Sequence, residues 1–554
     1  MANIFRTIPV KKPGRNLFNL SHQVKTSCNA GELIPFMCED VLPGDFWHNT
    51  SEVFVRFAPL SSPVMHQVDC FTYYFFVPNR LIWDDWEDFI TGGEYDSKTG
   101  LSGDDIVPPY IDYVQLTSSS DEKYVSTGSL ADYFGMPVMD TASKDMDFTY
   151  FGKATSWPHV SALPFRAYAQ IWNDYFRDQN MENSEIEYDK AASGQLSTAE
   201  SRLLMTVKKK AWSKDYFTSA LPWAQRGAPV TLPLGGSVPV SGNLTNSPQV
   251  SSISNVVPIF PAVDYGEGLL KAGVVQPNGT LELDDKVYKF PLSGTADLSN
   301  ATGSSINEFR RQLALQRWYE ANARGGARYI EQIYSHFGVR SSDARLQRAE
   351  YLGGGRTPVV ISDVEQTSST DENSPQGNLA GKAMSYGNQN GFKRQFEEHG
   401  WIIGILCVMP KAEYMQGLPR KFSRMTRFDY AWPEFGHLGE QEILKQELYY
   451  NFLDNSEMKY NDSVFGYTPR FAEYKDRNDY ATGEFRKGSL ATWHWPRVFD
   501  PSSLPVLSQQ FITANPSSDI FAVDDNGATQ KLWISIYNHT KASRCLPKYG
   551  VPML

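Results

Sequence analysis

Four short stretches of the chain are rich in β-branched and aromatic residues. They are residues 51–60 (SEVFVRFAPL), which alternate in part between apolar and polar, residues 70–78, which are almost wholly apolar and aromatic, and two comparable runs at 401–409 and 531–539. Each is bounded by Gly, Pro or Asn, which is typical of β-strands. Because the four lie toward the two ends of the chain, they predict one β-scaffold interrupted by long excursions.

A stretch between these strands shows helical spacing instead. In residues 163–180 (LPFRAYAQIWNDYFRDQN) the rings of Phe165, Tyr168, Trp172 and Tyr175 recur every three or four positions. Such an apolar stripe is typical of a packed face. A platform that stacks nucleic-acid bases needs exposed rings in a positively charged groove. We therefore predict that these rings pack the helix into the fold or against an adjacent subunit.

A second helix is predicted to begin at residue 305. Ser305 and Glu308 form a capping-box pattern, in which the hydroxyl accepts from an amide three residues on and the carboxylate reaches back. The two glycines at 325 and 326 are expected to break this helix.

Residues 232–304 form the longest stretch without a strong periodic pattern. They are almost free of Arg and Lys and dense in Gly, Ser, Asn, Pro and Val, which suits exposed turns and short strands. A loop of this length is usually functional or disordered. Recurrent Val, Leu and Phe favour a folded excursion.

The formal net charge is -11, which argues against a surface coated with cations for duplex DNA. Residues 1–31 depart from this balance, since they contain Arg6, Lys11, Lys12 and Arg15 and no acidic residue. Flexible cations of this kind can neutralise phosphates of single-stranded DNA without reading bases. They are equally compatible with a solvated tail, and both interpretations remain open at this point.

Cysteine usage and hydropathy bear on the compartment. The five cysteines are widely spaced and form no CxxC pair, which predicts free thiols in a reducing environment. The N-terminus lacks the apolar run of a signal peptide, and the most apolar stretch (401–409) is half the length needed to cross a bilayer. We therefore expect a soluble protein without membrane insertion, made in a cytoplasm.

Candidate catalytic and metal-binding patterns are weak. The acid-rich stretch at 83–89 (WDDWEDF) has no calcium-loop spacing and is better explained as a solvated helix face. The nine histidines stand singly, and the glycines at 353–356 (GGGR) match no phosphate loop and are interpreted as a structural turn. We therefore predict no catalytic residues, no cofactor and no metal site.

Several long motifs, in the same order, resemble the major capsid proteins of gokushovirus-like microviruses, which are small icosahedral single-stranded DNA phages. The motifs are FVPNRLIWDDWEDFI (76–90), LPFRAYAQIWNDYFRDQN (163–180), DYFTSALPWAQRG (215–227), SHFGVRSSDARLQRAEYLGGGRTPV (335–359) and QTSS (366–369). The similarity extends from residue 18 to about residue 480.

This resemblance implies a mainly β fold: an eight-stranded viral jelly roll with long helix- and loop-containing insertions. It also implies sixty copies in a T=1 shell around a circular single-stranded DNA genome. Further expected partners are a small basic DNA-associated viral protein and a host cell-surface receptor contacted by residues 232–304. The protein is then a virion component assembled in the host cytoplasm.

The expected organisation is a basic N-terminal arm (1–31), a first part of the jelly-roll core with helical insertions (32–231), a surface-protruding insertion (232–304), and a helical insertion followed by the remaining strands and a C-terminal tail (305–554). Two alternatives of other classes stay open: a jelly-roll carbohydrate-active enzyme, which needs two carboxylates facing a cleft, and a monomeric binding module.

Overall fold

The structure is a computed structural model that describes most of the chain. The described residues are 14–91, 106–116, 121–138, 159–182, 188–227, 269–270, 273–275, 281–283, 288–289, 306–325, 335, 342–365, 379–453, 460–522 and 529–549.

Strands make up most of the regular structure. In chain order they are β1 (Asn16–Asn19), β2 (His22–Cys28), β3 (Ile34–Val41), β4 (Phe46–Phe57), β5 (Val68–Pro78), β6 (Tyr110–Asp112), β7 (His159–Ser161), β8 (Leu269–Leu270), β9 (Gly273–Val275), β10 (Leu281–Leu283), β11 (Tyr288–Lys289), β12 (Glu350–Pro358), β13 (Val360–Glu365), β14 (Leu379–Gln395), β15 (Gly400–Pro410), β16 (Glu413–Tyr414), β17 (Glu440–Leu444), β18 (Val464–Pro469), β19 (Asp479–Tyr480) and β20 (Leu532–Arg544).

Helices are mostly short. They are α1 (Trp86–Thr91), α2 (Glu122–Val125), α3 (Leu130–Tyr133), α4 (Leu163–Ile171), α5 (Thr198–Leu204), α6 (Ile306–Gly325), α7 (Lys445–Leu448) and α8 (Gln509–Ile512), with several single 3₁₀ turns between them.

Two antiparallel sheets form the scaffold. One has the strand order β1-β20-β4-β14-β13, with β2 also paired to β20, and the other has the order β12-β5-β15-β3. The four apolar runs identified in the sequence correspond to β4, β5, β15 and β20, so strands from both ends of the chain do share one scaffold.

The two sheets enclose a common core. Val55 and Ile534 of the six-stranded sheet and Phe36, Tyr74 and Ile402 of the four-stranded sheet belong to one buried apolar cluster. The side chains of β20 alternate between buried and exposed along the strand, as expected for a sheet with one covered face. The predicted mainly β sandwich is confirmed, and the number of jelly-roll strands stays a prediction.

The opposite face of the four-stranded sheet is covered by the excursions. Phe75 of β5 and Ile403 of β15 point away from the sandwich core and join a second buried cluster, which includes much of α4. The four-stranded sheet is therefore buried on both faces, which explains why the sequences of β5 and β15 are apolar almost throughout.

The helix predicted over 163–180 is shorter than expected. It continues from α4 as one π-helical turn over Trp172–Phe176 and ends there, because Arg177 adopts an extended conformation. The side chain of Arg177 donates to the Glu182 carbonyl (2.9 Å), and the Glu182 carboxylate accepts from the Asp178 amide (2.8 Å). These bonds give the backbone an alternative to another helical turn.

The glycines at 353–355 lie in a strand, so their interpretation as a turn was wrong. They belong to β12 and pair with Tyr74, Tyr73 and Thr72 of β5. Glycine is required by close packing: a Cβ on Gly354 would lie 2.2 Å from the Thr72 carbonyl oxygen, and one on Gly355 would lie 1.7 Å from Oδ1 of Asn390. Sequence propensity alone does not reveal such contacts.

The chain divides into two compact units, one comprising Met1–Arg226 with Glu320–Leu554 and the other Gly227–Tyr319. Within the smaller unit, β9 pairs with β10 and β8 with β11, both antiparallel. Helix α6 begins at Ile306 and ends at Gly325, where the glycine pair was expected to break it.

Candidate interaction surfaces

The aromatic stripe of α4 lies inside the protein. Phe165, Tyr168 and Trp172 are almost fully buried. The Tyr168 hydroxyl donates to the Leu33 carbonyl (2.9 Å), and Nε1 of Trp172 donates to the Lys209 carbonyl (3.3 Å). Both polar tips are thus satisfied by backbone groups, as buried Tyr and Trp require. These rings are not available for stacking on a base.

Tyr175, in the π-helical turn that follows, is half-buried. Its ring lies 4.8 Å from that of Phe75, its hydroxyl donates to the Ala349 carbonyl (2.6 Å), and the Arg348 guanidinium lies 4.1 Å from the ring centre. Tyr175 therefore joins the π-helical turn to β5 and to the segment before β12. Whether their positions also serve subunit packing stays a prediction.

The candidate DNA-contacting cations fall mostly outside the described residues. Arg6, Lys11 and Lys12 are among them. Arg15 is described: it is exposed, immediately precedes β1, and places a guanidinium nitrogen 3.2 Å from the position that a Cβ on Gly44 would occupy. It therefore lies at the turn between β3 and β4.

One loop exposes an unusual number of large apolar side chains. We call residues 419–438 (PRKFSRMTRFDYAWPEFGHL) the aromatic segment. Its exposed apolar side chains are Phe422 (64%), Met425 (85%), Phe428, Tyr430, Trp432 and Leu438 (64%). Contiguous exposure on this scale marks a surface that another molecule covers.

Local hydrogen bonds fix the conformation of the aromatic segment. The Asp429 carboxylate accepts from the amides of Met425 (2.8 Å) and Thr426 (2.6 Å), and these bonds lower the pKa of Asp429. Nε1 of Trp432 donates to the Arg427 carbonyl (2.8 Å). The rings are therefore held in place before any partner arrives, which lowers the entropic cost of binding.

Two arginines attach the aromatic segment to the rest of the molecule. Arg424 pairs with Glu473 (3.4 Å) and lies 4.3 Å from the centre of the Tyr474 ring. Arg420 pairs with Glu447 (3.3 Å), whose other oxygen accepts from the Tyr216 hydroxyl (2.9 Å). Burial raises the pKa of Glu447, although the Arg420 charge opposes that effect.

Sequence reasoning missed the aromatic segment. The signal was present as cations interleaved with rings and Met, in RKF, RMTRF and YAW. It lacks both helical and strand periodicity, so nothing in the sequence distinguished exposed rings from buried ones.

Other candidate chemistry finds no structural support in the part of the chain that the structure describes. The acids of 83–89 lie on the outer side of α1 and the turn before it, while Trp83 is fully buried beneath them. No group of three or more His, Cys, Asp or Glu in the described residues is placed to hold a metal ion. The five cysteines are free thiols.

The predicted host-contacting insertion, 232–304, lies within the smaller unit. Its described residues are the strands β8 to β11, and the rest of the stretch lies outside the described residues. No described helix is long and apolar enough to cross a membrane.

Comparison with known proteins finds matches along nearly the whole chain. Residues 7–554 match the model of the Phage_F family, described as Capsid protein (F protein). The chain is 34% identical over 608 residues to Capsid protein VP1 of Chlamydia phage 1, covering 100% of this chain and 98% of that protein. It is 35% identical over 561 residues to Capsid protein VP1 of Bdellovibrio phage phiMH2K, with 99% and 97% covered. For Capsid protein VP1 of Spiroplasma virus 4 the identity is 30% over 558 residues, with 98% and 95% covered.

These relatives are structural proteins of virus particles and not enzymes, so the carbohydrate-active alternative is wrong and the prediction of a non-enzymatic virion component is confirmed. Three features described above suit a shell subunit: the four-stranded sheet buried on both faces, the long excursions and the exposed rings. The chain belongs to the Phage_F family of capsid proteins, in the gokushovirus-like group that its motifs indicated.

Proposed function

We propose that sixty copies of this chain assemble into a closed T=1 shell around a circular single-stranded DNA genome, with the aromatic segment as a contact between copies. The observation that supports a role in assembly is the exposure of the apolar side chains of this segment in the isolated chain. Burying its rings against neighbours removes apolar surface from water, which is the main driving force of association.

Closed symmetry allows modest contacts of this kind to hold a whole shell together. Every copy donates the same surface and receives the same surface, so one modest contact recurs around the whole particle. Each copy is also held by several neighbours, which adds the individual contacts into a stable assembly. The net charge of -11 on each copy opposes association, so apolar contacts have to provide the attraction.

The test is the mass of the particle formed by a variant of the aromatic segment. Sixty chains of 62.5 kDa give a shell of about 3.8 MDa, which analytical ultracentrifugation separates from single chains. Substituting Phe422, Met425 and Phe428 together by Ser is expected to shift most of the protein from that species to small oligomers.

A matched control removes the same kind of side chain from exposed positions that stand singly. Met65, Val107 and Val506 meet this condition, and their replacement by Ser should leave the shell intact. Unchanged shell yield in the aromatic-segment variant would remove this segment from the assembly contacts. Parental protein that never exceeds the mass of small oligomers would contradict the shell and support a monomeric binding module.

Two further parts of the proposal concern the chain's partners. The arm cations Arg6, Lys11, Lys12 and Arg15 neutralise genome phosphates on the inside of the shell, together with a small basic DNA-associated viral protein. Residues 232–304 project outward and contact a receptor on the host cell surface. Their low content of charged side chains suits a projection formed of turns and short strands.

A further inference from the structure

The face of the six-stranded sheet that points away from the sandwich core has a composition unlike the rest of this acidic protein. In β4, β14 and β20 every second side chain points away from the sandwich core, and the strand registers place these residues side by side. We call this surface the outer face. The exposed residues that the registers place on it include the charged, imidazole and ring-bearing residues Lys25, His48, Phe54, Arg56, Lys382, Tyr386, Lys393, Trp533, Tyr537, His539 and Lys541. The uncharged residues Leu17, Asn19, Gln23, Val360, Ser362, Ala380, Met384 and Gln395 are exposed on it as well.

The charge of the outer face is strongly positive. Five of its residues are Lys or Arg: Lys25, Arg56, Lys382, Lys393 and Lys541. Among the described residues, the one carboxylate that the registers place there is Glu52, whose Oε1 lies 2.9 Å from Nε2 of His539. None of the five cations pairs with a described acid. A chain with a net charge of -11 thus gathers, on one sheet face, cations that have no acidic partner among the described residues.

Exposed rings lie among these cations. Phe54 pairs directly with Tyr386 across the β4–β14 ladder, which places their Cβ atoms about 5 Å apart. Trp533 pairs with Arg56, whose guanidinium lies 5.9 Å from the indole centre. Tyr537 follows four residues after Trp533 on the same side of β20. The rings therefore form one patch in the middle of the sheet, bordered by cations and, beside Tyr537, by its cross-strand partner Glu52.

We propose that the outer face binds single-stranded DNA, with Phe54, Tyr386, Trp533 and Tyr537 stacking on bases and the surrounding cations neutralising phosphates. The inference rests on the proposed function, since it takes the outer face to be the surface that contacts the enclosed genome. Rings on a cationic sheet are a sequence-tolerant platform for single strands because every base has a stacking face. Duplex DNA hides its bases and gains only the charge contribution.

Arg15 and the sequence before it support this occupant over a second copy of the chain. The exposed Arg15 leads directly into β1, which pairs with β20 at the edge of this sheet. In the sequence it is preceded by three further cations, Arg6, Lys11 and Lys12. The excess of positive charge on the face and in the preceding sequence matches a partner whose negative charge repeats along its length.

The test measures binding of unassembled full-length protein to a fluorescent thymidine oligonucleotide of about 16 nucleotides, by anisotropy at several salt concentrations. Replacing Lys25, Arg56 and Lys541 together by Gln should reduce the slope of log affinity against log salt by about 2, since each phosphate contact to a single strand contributes about 0.7. Arg56→Lys, which keeps the charge, should retain the parental slope.

Ring substitutions separate stacking from charge. Tyr386→Ser and Trp533→Ser should each weaken binding of the single strand roughly tenfold, with little change for a duplex of the same length. The matched controls are Tyr480→Ser for the rings and Gln at Lys123, Arg345 and Lys487 for the cations, all exposed positions outside the outer face. These controls should bind like the parent.

The outcomes distinguish the inference from the proposed function. If the outer-face variants bind the oligonucleotide like the parent but no longer form shells, the face is a contact between copies and the inference is wrong. If they bind like the parent and form normal shells, the inference is also wrong, while the proposed function stands. Parental protein that forms neither shells nor DNA complexes would contradict the proposed function itself.

Discussion

Glu413 is a half-buried carboxylate between two histidines. Its Oε2 lies 3.0 Å from Nδ1 of His494 and 3.5 Å from Nδ1 of His66. Burial acts to raise the pKa of Glu413, but the hydrogen bonds and charges of the two imidazoles outweigh it, so the pKa lies below the ordinary value of 4.5. The charged carboxylate therefore stabilises the folded state.

The sign of the resulting pH dependence follows from linkage. Because the unfolded chain takes up the Glu413 proton at a higher pH than the folded chain, the stabilisation is complete above about pH 4.5 and is lost as the pH falls through the lower folded pKa. Glu413→Gln is expected to lower the free energy of unfolding by about 1.5–3 kcal/mol near neutral pH. The difference from the parent should shrink at acid pH, as measured by urea unfolding of unassembled protein. Glu484→Gln, at an exposed ion pair with Lys487, is the control and should change little.

A constant difference between parent and Glu413→Gln across this pH range would contradict the assignment. It would mean that the substitution acts through packing alone and that the carboxylate charge contributes nothing to the folded state.

Single residues also mark where sequence reasoning ends. Arg166, which follows Phe165 in α4, has no solvent exposure, and the spacing of the helix's rings does not reveal where this charge lies. Its guanidinium pairs with Glu200 (3.1 Å) and donates to the carbonyls of Ile82 and Ala192 (both 3.3 Å). A buried arginine is stable only when all of these partners converge, and they come from distant parts of the chain.

At the scale of elements, the sequence predicted those strands whose environment is simple. β5 and β15 are buried on both faces and read as continuous apolar runs, so their type was evident. β12 was not evident because its three glycines have low strand propensity, and their reason for being there is the approach of Thr72 and Asn390. Thr72 lies 282 positions before Gly354 and Asn390 lies 35 positions after Gly355, so neither contact can be read from the local pattern.

Gly354 provides a direct test of that explanation. Gly354→Ala places a methyl group 2.2 Å from the Thr72 carbonyl oxygen, which belongs to the backbone and cannot rotate away. The strand pair β5–β12 must shift, and we expect a loss of about 1–3 kcal/mol in the free energy of unfolding. Gly488→Ala is the matched control, since its Cβ would meet nothing within 4 Å. Equal stability of the two variants in urea unfolding would show that β12 can accept a side chain.

The insertion at 232–304 is the element whose removal should separate assembly from host contact. If it projects outward as proposed, replacing it by a short Gly/Ser linker leaves the apolar contacts between copies intact. We expect shells of normal yield in ultracentrifugation and a strong loss of adsorption of the corresponding phage to host cells. Normal adsorption of the deletion phage would place receptor contact elsewhere, and failure to form shells would place the insertion among the assembly contacts.

At the scale of the whole molecule, charge is distributed unevenly. The chain as a whole is acidic, yet its first 31 residues contain no acid and the outer face carries five cations against one carboxylate. An acidic exterior keeps particles soluble and apart. In our proposal, the cations of the outer face and the arm lie on the genome side and offset the charge of the enclosed DNA.

The final prediction concerns this charge balance. Replacing Arg6, Lys11, Lys12 and Arg15 by Gln removes four cations per copy, or about 240 per sixty-copy shell. Because shell contacts do not depend on the arm in our proposal, particle yield should change less than DNA content, measured as the ratio of absorbance at 260 and 280 nm in purified particles. Gln at Lys123, Arg345, Lys475 and Lys487 removes as much exposed charge elsewhere and should leave the DNA content at the parental level. If the arm variant packages as much DNA per particle as this control, the arm is a solvated tail and neutralisation of the genome falls to the outer face and the small basic partner.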